Sequence, residues 1–307
     1  MKVAILHQDL EWGEREIARQ LQQKGFTVNL FDVRTTSLED LTQTEELPSL
    51  VLNRVYASVA NRDYRDNIKI LDLLLSLERL GIPCMNSYYT SQFDYSKFKA
   101  AKRLKEEGVS TPETLYVGCL NTETKDRITG FIKKYGFPLI VKRDMGGRGK
   151  DLQRIENEQS LYTFLENKFS PTAQHEYAGG FVVQEFLKPT RPFDCRLAVF
   201  DGEFAFSYGR TLISRVNNGD APWLASVKLG SRMINYDPTP EEVALAISAS
   251  NAIGAIFNEV DMTQTEKGPA IIENNPTPNY DETEIDRVAK AVDLIEKTYC
   301  TTEAILR

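Results

Sequence analysis

The sequence predicts a mixed fold, in which an α/β domain with a parallel sheet precedes two α+β subdomains. Apolar strands alternate with amphipathic helices in the first part of the chain, which is the pattern of a parallel sheet with helical crossovers. Beyond residue 92, short strands and helices follow in an order that favours antiparallel pairing. At 307 residues, the chain is long enough for more than one buried core. We therefore expect three units, over residues 1–92, 93–187 and 188–307.

The N-terminal unit opens with a βαβ motif. Its expected elements are a strand over Val3–Leu6, a helix over Glu14–Lys24, strands over Phe26–Phe31 and Leu50–Val55, and a helix over Asn67–Leu80. Gly25 ends the first helix, and Gly81 and Pro83 stop the last one. The turn after the first strand, HQDLEWGE, lacks the G-x-G-x-x-G pattern, so a dinucleotide fingerprint is absent.

The two later units begin after a polar stretch, SYYTSQFDYS, and we place the domain boundary near Gln92. A helix over Lys97–Glu107 follows and ends at Gly108. The remaining strands are expected in TLYVG, PLIVKR, DLQRIE, FVVQEFL, CRLAVFDGEFAFSYGRTLIS and the hairpin described below, with helices near residues 124–135, 158–167, 240–253 and 284–299.

Composition and charge exclude several classes of partner. The chain has 37 basic and 44 acidic residues without a long run of either sign, which argues against a nucleic acid as the main substrate. Its longest apolar stretch, LDLLLSL, is far too short to cross a membrane. The four cysteines are widely separated, so they indicate neither a zinc site nor a disulfide framework. Isolated thiols and the absence of a signal peptide predict a cytoplasmic protein.

The segment from Ala255 to Tyr280 predicts a β-hairpin that binds a cation. With a turn at residues 266–268, symmetric pairing places Asp261 opposite Glu273, and Asn275 follows on the same face. Opposed like charges destabilise a sheet, and a bound cation resolves the conflict. Oxygen ligands without His or Cys favour magnesium or manganese. The alternative is an edge hairpin whose acidic side chains face solvent.

A glycine-rich turn between two strands is the expected phosphate-binding loop. Lys142 lies at the end of an apolar strand, where a lysine is costly unless it has an anionic partner. Gly146, Gly147 and Gly149 follow, and glycines let backbone N–H groups surround phosphate oxygens while Arg148 adds positive charge. Because the turn joins two strands, it is not a P-loop. By itself the pattern also fits an ordinary tight turn.

The strand FVVQEFL, from Phe181 to Leu187, is the candidate for binding a planar base. Its polar members are Gln184 and Glu185, and backbone groups from Glu185 through Phe186 to Leu187 can contact a base while apolar side chains enclose the ring. An ordinary half-buried strand fits this segment equally well.

Two arginines on the following hairpin are candidates for phosphoryl transfer. Asp194 and Arg196 begin one strand, and Arg210 lies at the far end of the next strand. Arg196 and Arg210 can therefore lie near each other on one surface of the sheet. Guanidinium groups suit phosphoryl groups in transit because they bind oxygen pairs in a fixed fork.

The first domain offers a candidate carboxylate clamp for a substrate. Arg54 and Asn53 end an apolar strand, and the carboxyl ends of parallel strands commonly face a ligand crevice. Tyr280 is a candidate wall of the acceptor pocket. A surface arginine at a strand end and a packed tyrosine are the alternatives.

Together these motifs resemble the ATP-grasp superfamily, and most closely its RimK-like carboxylate-amine ligase branch, the alpha-L-glutamate ligase-like proteins. The resemblance covers about Phe93 to Tyr299, and the N-terminal unit looks like the Rossmann-like domain that precedes the ATP-grasp fold in these enzymes. It implies that Lys97 and Lys142 contact the ATP phosphates, that Glu185 and Leu187 form the adenine hinge, and that Asp194 lies near the nucleotide. It also implies that Arg196 and Arg210 act in phosphoryl transfer, and that Asp261, Glu273 and Asn275 bind two magnesium ions bridged by Glu273.

The resemblance implies an ATP-dependent ligase that forms an amide or peptide bond through an acyl phosphate and releases ADP and phosphate. The expected acceptors are amino acids, peptides or a protein tail, and the expected assembly is a homodimer or homotetramer. The family often ends its metal loop in Pro-Gly, whereas this chain has Pro278-Asn279-Tyr280, which leaves the acceptor open. The alternatives are an ATP-grasp kinase and a non-catalytic ATP-binding regulator.

Overall fold

A computed structural model of the protein describes residues 1–43, 46–214 and 221–306. Three sheets follow one another along the chain, and helices pack against each of them. The predicted mixture of α/β and α+β architecture is confirmed. Among the described residues, no helix combines the length and apolarity that crossing a bilayer requires.

The N-terminal sheet is parallel, with strand order β2-β1-β3-β4. Its strands are β1 (Lys2–His7), β2 (Thr27–Asp32), β3 (Leu50–Asn53) and β4 (Cys84–Met85), with helices α1 (Trp12–Gln23), α2 (Leu38–Thr42) and α3 (Tyr64–Arg79) and a 3-10 helix at Ala57–Asn61. One apolar core packs α3 on this sheet, and the other packs α1 together with the C-terminal helix. The last helix of the chain therefore forms part of the N-terminal layer.

The central sheet is antiparallel and carries the glycine-rich turn. Its order is β5-β8-β6-β7, formed by β5 (Thr114–Val117), β6 (Leu139–Arg143), β7 (Gln153–Ile155) and β8 (Phe181–Glu185). The associated helices are α4 (Tyr88–Tyr95), α5 (Lys97–Glu106), α6 (Thr122–Tyr135), α7 (Glu158–Lys168) and α8 (Pro171–Glu176). The predicted strand–turn–strand context of the glycines is confirmed, because β6 and β7 pair as a hairpin.

The C-terminal sheet has the order β11-β10-β9-β12-β13 and is antiparallel throughout. Its elements are β9 (Phe193–Phe200), β10 (Glu203–Thr211), β11 (Met233–Ile234), β12 (Phe257–Thr265) and β13 (Gly268–Asn275), with helices α9 (Pro240–Ala252) and α10 (Ile285–Leu306). Apolar residues on one face pack against α9. On the other face, α10 packs on the end of the sheet near Ala198 and Phe200. The rest of that face carries charged side chains.

Helix α4 lies in the stretch where the sequence indicated no regular element. Ser87 caps it by accepting a hydrogen bond from the Thr90 backbone N–H at 3.2 Å. The polar composition of this stretch gave no helical pattern of apolar residues, because α4 buries polar side chains that form hydrogen bonds inside the protein. The Tyr95 hydroxyl, for example, donates to the Val55 carbonyl at 2.6 Å. The boundary predicted after residue 92 falls inside this helix.

The β12–β13 hairpin pairs Asp261 with Glu273 as expected, but its turn and its strand register differ from the prediction. The turn contains two residues, not the predicted three, because Thr265 pairs with Gly268. That shorter turn alone would place Ile272 opposite Asp261. A β-bulge between Asp261 and Met262 shifts the register by one residue and restores the pairing with Glu273.

A buried carboxyl group joins α4 to the loop after β13. Asp94 accepts a hydrogen bond from the Thr277 hydroxyl at 2.8 Å, and the residue is only 8% exposed. Burial raises the pKa of Asp94 to about 7. The ionised form is thus disfavoured in the folded chain relative to the unfolded one.

We predict that Asp94→Asn becomes more stable relative to the wild type as pH rises. In the wild type this carboxyl destabilises the fold progressively between its unfolded pKa of about 4 and its folded pKa of about 7. The amide cannot ionise, so the difference in unfolding free energy should shift in favour of the variant between pH 4.5 and pH 8. Urea denaturation at both pH values measures this. A difference that is independent of pH would contradict the assignment.

Candidate functional site

Charged side chains from neighbouring strands form a continuous row on the face of the C-terminal sheet that is opposite α9. Arg210 on β10 pairs with Asp194 on β9, and Arg196, two residues along β9, pairs with Asp261 on β12. Asp261 in turn pairs with Glu273 on β13. Because paired residues share a face of a sheet, all five side chains project toward the same side.

Two arginines hold the carboxylate of Asp261. Arg196 donates to it from Nε at 2.5 Å and from Nη2 at 2.9 Å, and Arg210 Nη2 lies 3.0 Å from Asp261 Oδ1. Burial acts to raise the pKa of this carboxyl, but the two guanidiniums outweigh it and hold the pKa well below its usual range. Asp261 is therefore ionised, and the predicted proximity of Arg196 and Arg210 is confirmed.

Among the described residues, Asp194 has Arg210 as its only ion-pair partner. Arg210 donates to its two carboxylate oxygens at 3.0 and 2.8 Å in a bidentate pair. Burial still raises the pKa of Asp194 against the effect of the arginine. Arg210 thus bridges Asp194 and Asp261, and it fixes their relative position.

Two lysines from the central unit approach the other end of the row. Lys97, at the start of α5, lies 3.2 Å from Glu273 Oε1 and donates to the Gly146 carbonyl at 2.5 Å. Lys142 is half-buried, and among the described residues it has no ion-pair partner. Burial lowers its pKa, and the positive charge of Lys97 lowers it further against the pull of Glu273. Binding of an additional anion would stabilise the charged form of a lysine in this environment.

The predicted metal ligands offer a set of oxygen donors that suits magnesium. Asp261 and Glu273 face each other across the hairpin, and Asn275 follows on β13 with its amide nitrogen donating to the Glu259 carbonyl at 2.9 Å. Within residues 1–43, 46–214 and 221–306, no cluster of three or more His, Cys, Asp or Glu side chains is close enough to hold a metal. Two carboxylates and one amide therefore form the donor set, and other ligands would come from water or phosphate.

Sequence reasoning missed a further carboxylate on this face, that of Glu259. It lies two residues before Asp261 and pairs with Asn275. The Arg196 Nη1 atom donates to Glu259 Oε2 at 3.2 Å. Burial raises the pKa of the Glu259 carboxyl, and the positive charge of Arg196 opposes this rise. The signal available in the sequence was the strand alternation that gives Glu259 and Asp261 the same face.

The glycine-rich turn contacts the N-terminal domain. The Asn61 side chain donates to the Gly147 carbonyl at 2.8 Å and accepts from the Gly147 N–H at 3.3 Å. A Cβ atom on Gly146 would lie 2.6 Å from Asn61 Oδ1, so the close approach requires glycine. Lys150 donates to the Asn61 carbonyl at 3.0 Å, and Arg148 lies 3.3 Å from a Glu11 oxygen.

The candidate base-binding segment consists of β8 and the two residues after it, where the chain leaves the central sheet. The Gln184 side chain donates to the Thr114 hydroxyl at 2.8 Å. The Glu185 carboxylate accepts from the Glu113 N–H at 3.0 Å, so it is engaged inside the protein. Among the described residues, no backbone hydrogen bond reaches Phe186 or Leu187. Their backbone groups are the part of the predicted hinge that can bind a ligand.

The candidate substrate residues of the first domain form contacts between domains. Arg54 donates to Glu14 at 3.2 Å and to the Pro278 carbonyl at 2.6 Å, and its guanidinium lies 5.6 Å from the centre of the Tyr280 ring. The Asn53 amide donates to the hydroxyls of two α4 residues at 3.0 and 2.9 Å. These side chains join the first domain to α4 and to the loop after β13, and a role in substrate binding stays a prediction.

The family model for the RimK-like ATP-grasp domain matches residues 95–297 of this chain. A probable alpha-L-glutamate ligase of Legionella pneumophila strain Corby is 25% identical over 232 residues, which cover 73% of this chain and 70% of the relative.

The fold also matches solved structures along its whole length. The D-alanine–D-alanine ligase of Bacillus anthracis has a TM-score of 0.72 at 16% identity and covers 100% of both chains. The ATP-grasp ligase PsnB, solved with a phosphomimetic variant of its minimal precursor, Mg and ADP, has a TM-score of 0.64 at 16% identity and covers 96% of this chain and 98% of its own. At these identities the likeness shows the fold.

We predict that Asn61→Ala weakens ATP binding. The substitution removes two hydrogen bonds that hold the glycine-rich turn, each worth about 1 kcal/mol, so the KM for ATP should rise about five- to tenfold with a smaller effect on kcat. Steady-state kinetics with varied ATP measures the change.

Arg62→Ala is the matched control, because Arg62 directly follows the same 3-10 helix and donates to Gln8 and Asp9 instead of to the turn. Equal effects of the two substitutions would show that the helix matters only for folding and would contradict the prediction.

Proposed function

The chain belongs to the RimK-like ATP-grasp family, and on that premise we propose that it joins a carboxylate to an amine with ATP as the energy source. The products are an amide or peptide bond, ADP and phosphate. The observation that carries the proposal is the row of paired charged residues from Arg210 to Glu273, with two lysines at its end. A surface with opposed carboxylates and neighbouring lysine ammonium groups suits binding of a metal–phosphate group.

Lys97, Lys142 and the backbone of the glycine-rich turn are proposed to bind the phosphates. Both lysines come from the central unit and approach the Glu273 end of the row. Lys97 can exchange Glu273 for a phosphate oxygen with a small movement, because its ammonium already lies between the carboxylate and the turn. The free backbone groups at Phe186 and Leu187 are proposed to bind the adenine edge.

Asp261, Glu273 and Asn275 are the residues that would hold magnesium, with Glu273 bridging two ions. Magnesium supplies charge neutralisation at the transferred phosphoryl group. Manganese has the same preference for oxygen ligands. Cytoplasmic location and a homodimeric or homotetrameric assembly stay predictions of the sequence.

In the first step of the proposed reaction, the substrate carboxylate attacks the γ-phosphorus of ATP. The bond from phosphorus to the bridging oxygen breaks, ADP leaves, and an acyl phosphate forms. In the second step an amine attacks the acyl carbon, the bond from carbon to the phosphate oxygen breaks, and the departing phosphate takes the proton that the amine loses. We propose that Arg196 and Arg210, which both contact Asp261, stabilise the negative charge that develops in both steps.

We propose an amino acid or a peptide as the acceptor. The relative from Legionella pneumophila is named a glutamate ligase, and the PsnB structure contains a precursor. Because Asn279 donates to Glu11 at 2.7 Å, the residues that replace the usual Pro-Gly form part of the contact with the N-terminal domain.

The proposed function predicts two signals from the wild-type protein. With magnesium, ATP and a pool of proteinogenic amino acids, hydroxylamine should trap the acyl phosphate as a hydroxamate, and ADP release should depend on the amine. A phosphorylated hydroxyl product without amine dependence would indicate a kinase. Tight ATP binding without either product would indicate a regulator, and both results contradict the proposal.

We predict that Glu273→Ala lowers ATP turnover by at least about a hundredfold, because it removes a metal ligand and the partner of Lys97. Glu266→Ala is the matched control, since Glu266 is exposed in the turn of the same hairpin. ADP release at saturating magnesium measures both. Near-normal turnover of the Glu273 variant would show that the metal site lies elsewhere.

A further inference from the structure

Glu259 has one carboxylate oxygen that the mechanism above does not use. The residue is 2% exposed, and its Oε2 atom is bonded to Arg196. Its Oε1 atom is buried and has no hydrogen-bond partner among the described residues. A buried carboxylate oxygen without a donor costs free energy, so the arrangement favours a ligand that supplies one.

The nearby cations are already engaged. Arg196 divides its donors between Asp261 and Glu259. Arg287, whose charge also acts on Glu259, is paired with Glu284 at the start of α10. None of the described residues around Glu259 therefore donates a hydrogen bond to Oε1, so the donor must come from outside the chain. A positively charged donor would form the strongest hydrogen bond with this oxygen.

The position of Glu259 on the sheet is adjacent to the proposed site of reaction. It lies two positions before Asp261 on β12, about 7 Å away along the same face of the sheet. Glu259 also lies on the side of Tyr280, whose ring contacts Arg54 of the first domain, and not on the side of the phosphate-binding lysines.

We propose that Glu259 binds the ammonium group of the acceptor substrate through Oε1 and places its nitrogen beside the acyl phosphate. A phosphoryl oxygen takes the proton that the nitrogen must lose before it attacks the acyl carbon, and the second proton leaves with the phosphate. The inference rests on the proposed ligase function and adds the class of acceptor, a primary amine that arrives as a cation. Glu259 is then a specificity-determining residue for the second step. The first step, in which a carboxylate and ATP form the acyl phosphate, needs no group at this position.

The test separates the two steps in Glu259→Gln, which keeps the size of the side chain and an acceptor for Arg196. Hydroxylamine is uncharged at pH 7.5 and needs no carboxylate to bind it, so hydroxamate formation from the amino-acid pool should stay within about threefold of the wild type. With glycinamide as the amine probe, the KM for the probe should rise about ten- to a hundredfold, the loss expected for a charged hydrogen bond.

Two further variants test whether the charge of Glu259 and its position on the sheet are responsible for the effect. Glu259→Asp keeps the charge and should retain more of the amide-forming activity than Glu259→Gln. Glu203→Gln, at an exposed position on β10, should change neither reaction. Equal losses of hydroxamate and amide in Glu259→Gln would show that Glu259 acts only through Arg196 and would overturn the inference, as would an unchanged KM for glycinamide. Wild-type protein that forms no hydroxamate contradicts the ligase proposal itself, and the inference then fails with it.

Discussion

The bond between Asp261 and its two arginines is the interaction on which the rest of the site depends. Four carboxylates and four cations meet on and above one face of the C-terminal sheet, and each carboxylate of the row is held by at least one cation. Without these cations, the opposed acids of β12 and β13 would repel each other in a largely buried setting. The same cations are the groups that phosphate binding needs. On the proposed function, the groups that would bind phosphate are therefore paired with the groups that would bind the metal, and a nucleotide with its metal would give both sets new partners.

The N-terminal domain reaches this row at two separate places. Asn61 holds the glycine-rich turn, and Arg54 donates to the loop that follows the metal hairpin. Glu11 contacts both, since it accepts from Arg148 and from Asn279. A movement of these N-terminal residues would therefore act on the glycine-rich turn and on the loop after β13 together. This connection gives a physical route by which binding in one unit alters binding in another.

Much of the fold and of the candidate site could be predicted from the sequence because the information was local. Symmetric pairing about a turn at residues 266–268 predicted that Asp261 opposes Glu273, although the turn is shorter and a bulge restores the pairing. The apolar strand before the glycines indicated that Lys142 is a cation that needs an anionic partner. Features that depend on distant parts of the chain could not be predicted. The polar residues of α4 are buried only because Val55 and Asn53 bond to them, and the bulge in the hairpin has no signature in the residues around it. Asn61 gains its role only because the first domain folds against a turn that follows it by more than eighty positions.

The most direct test of this account is the affinity for magnesium with and without a nucleotide, measured by calorimetry with a non-hydrolysable ATP analogue. Because Asp261 and Glu273 are engaged by Arg196, Arg210 and Lys97, the metal alone must break these pairs, whereas the nucleotide gives the cations new partners. We expect weak binding of magnesium alone and a rise of at least about tenfold in its affinity when the analogue is bound. Equal affinity in both conditions would contradict the account, because it would show that the metal ligands are free before the nucleotide arrives.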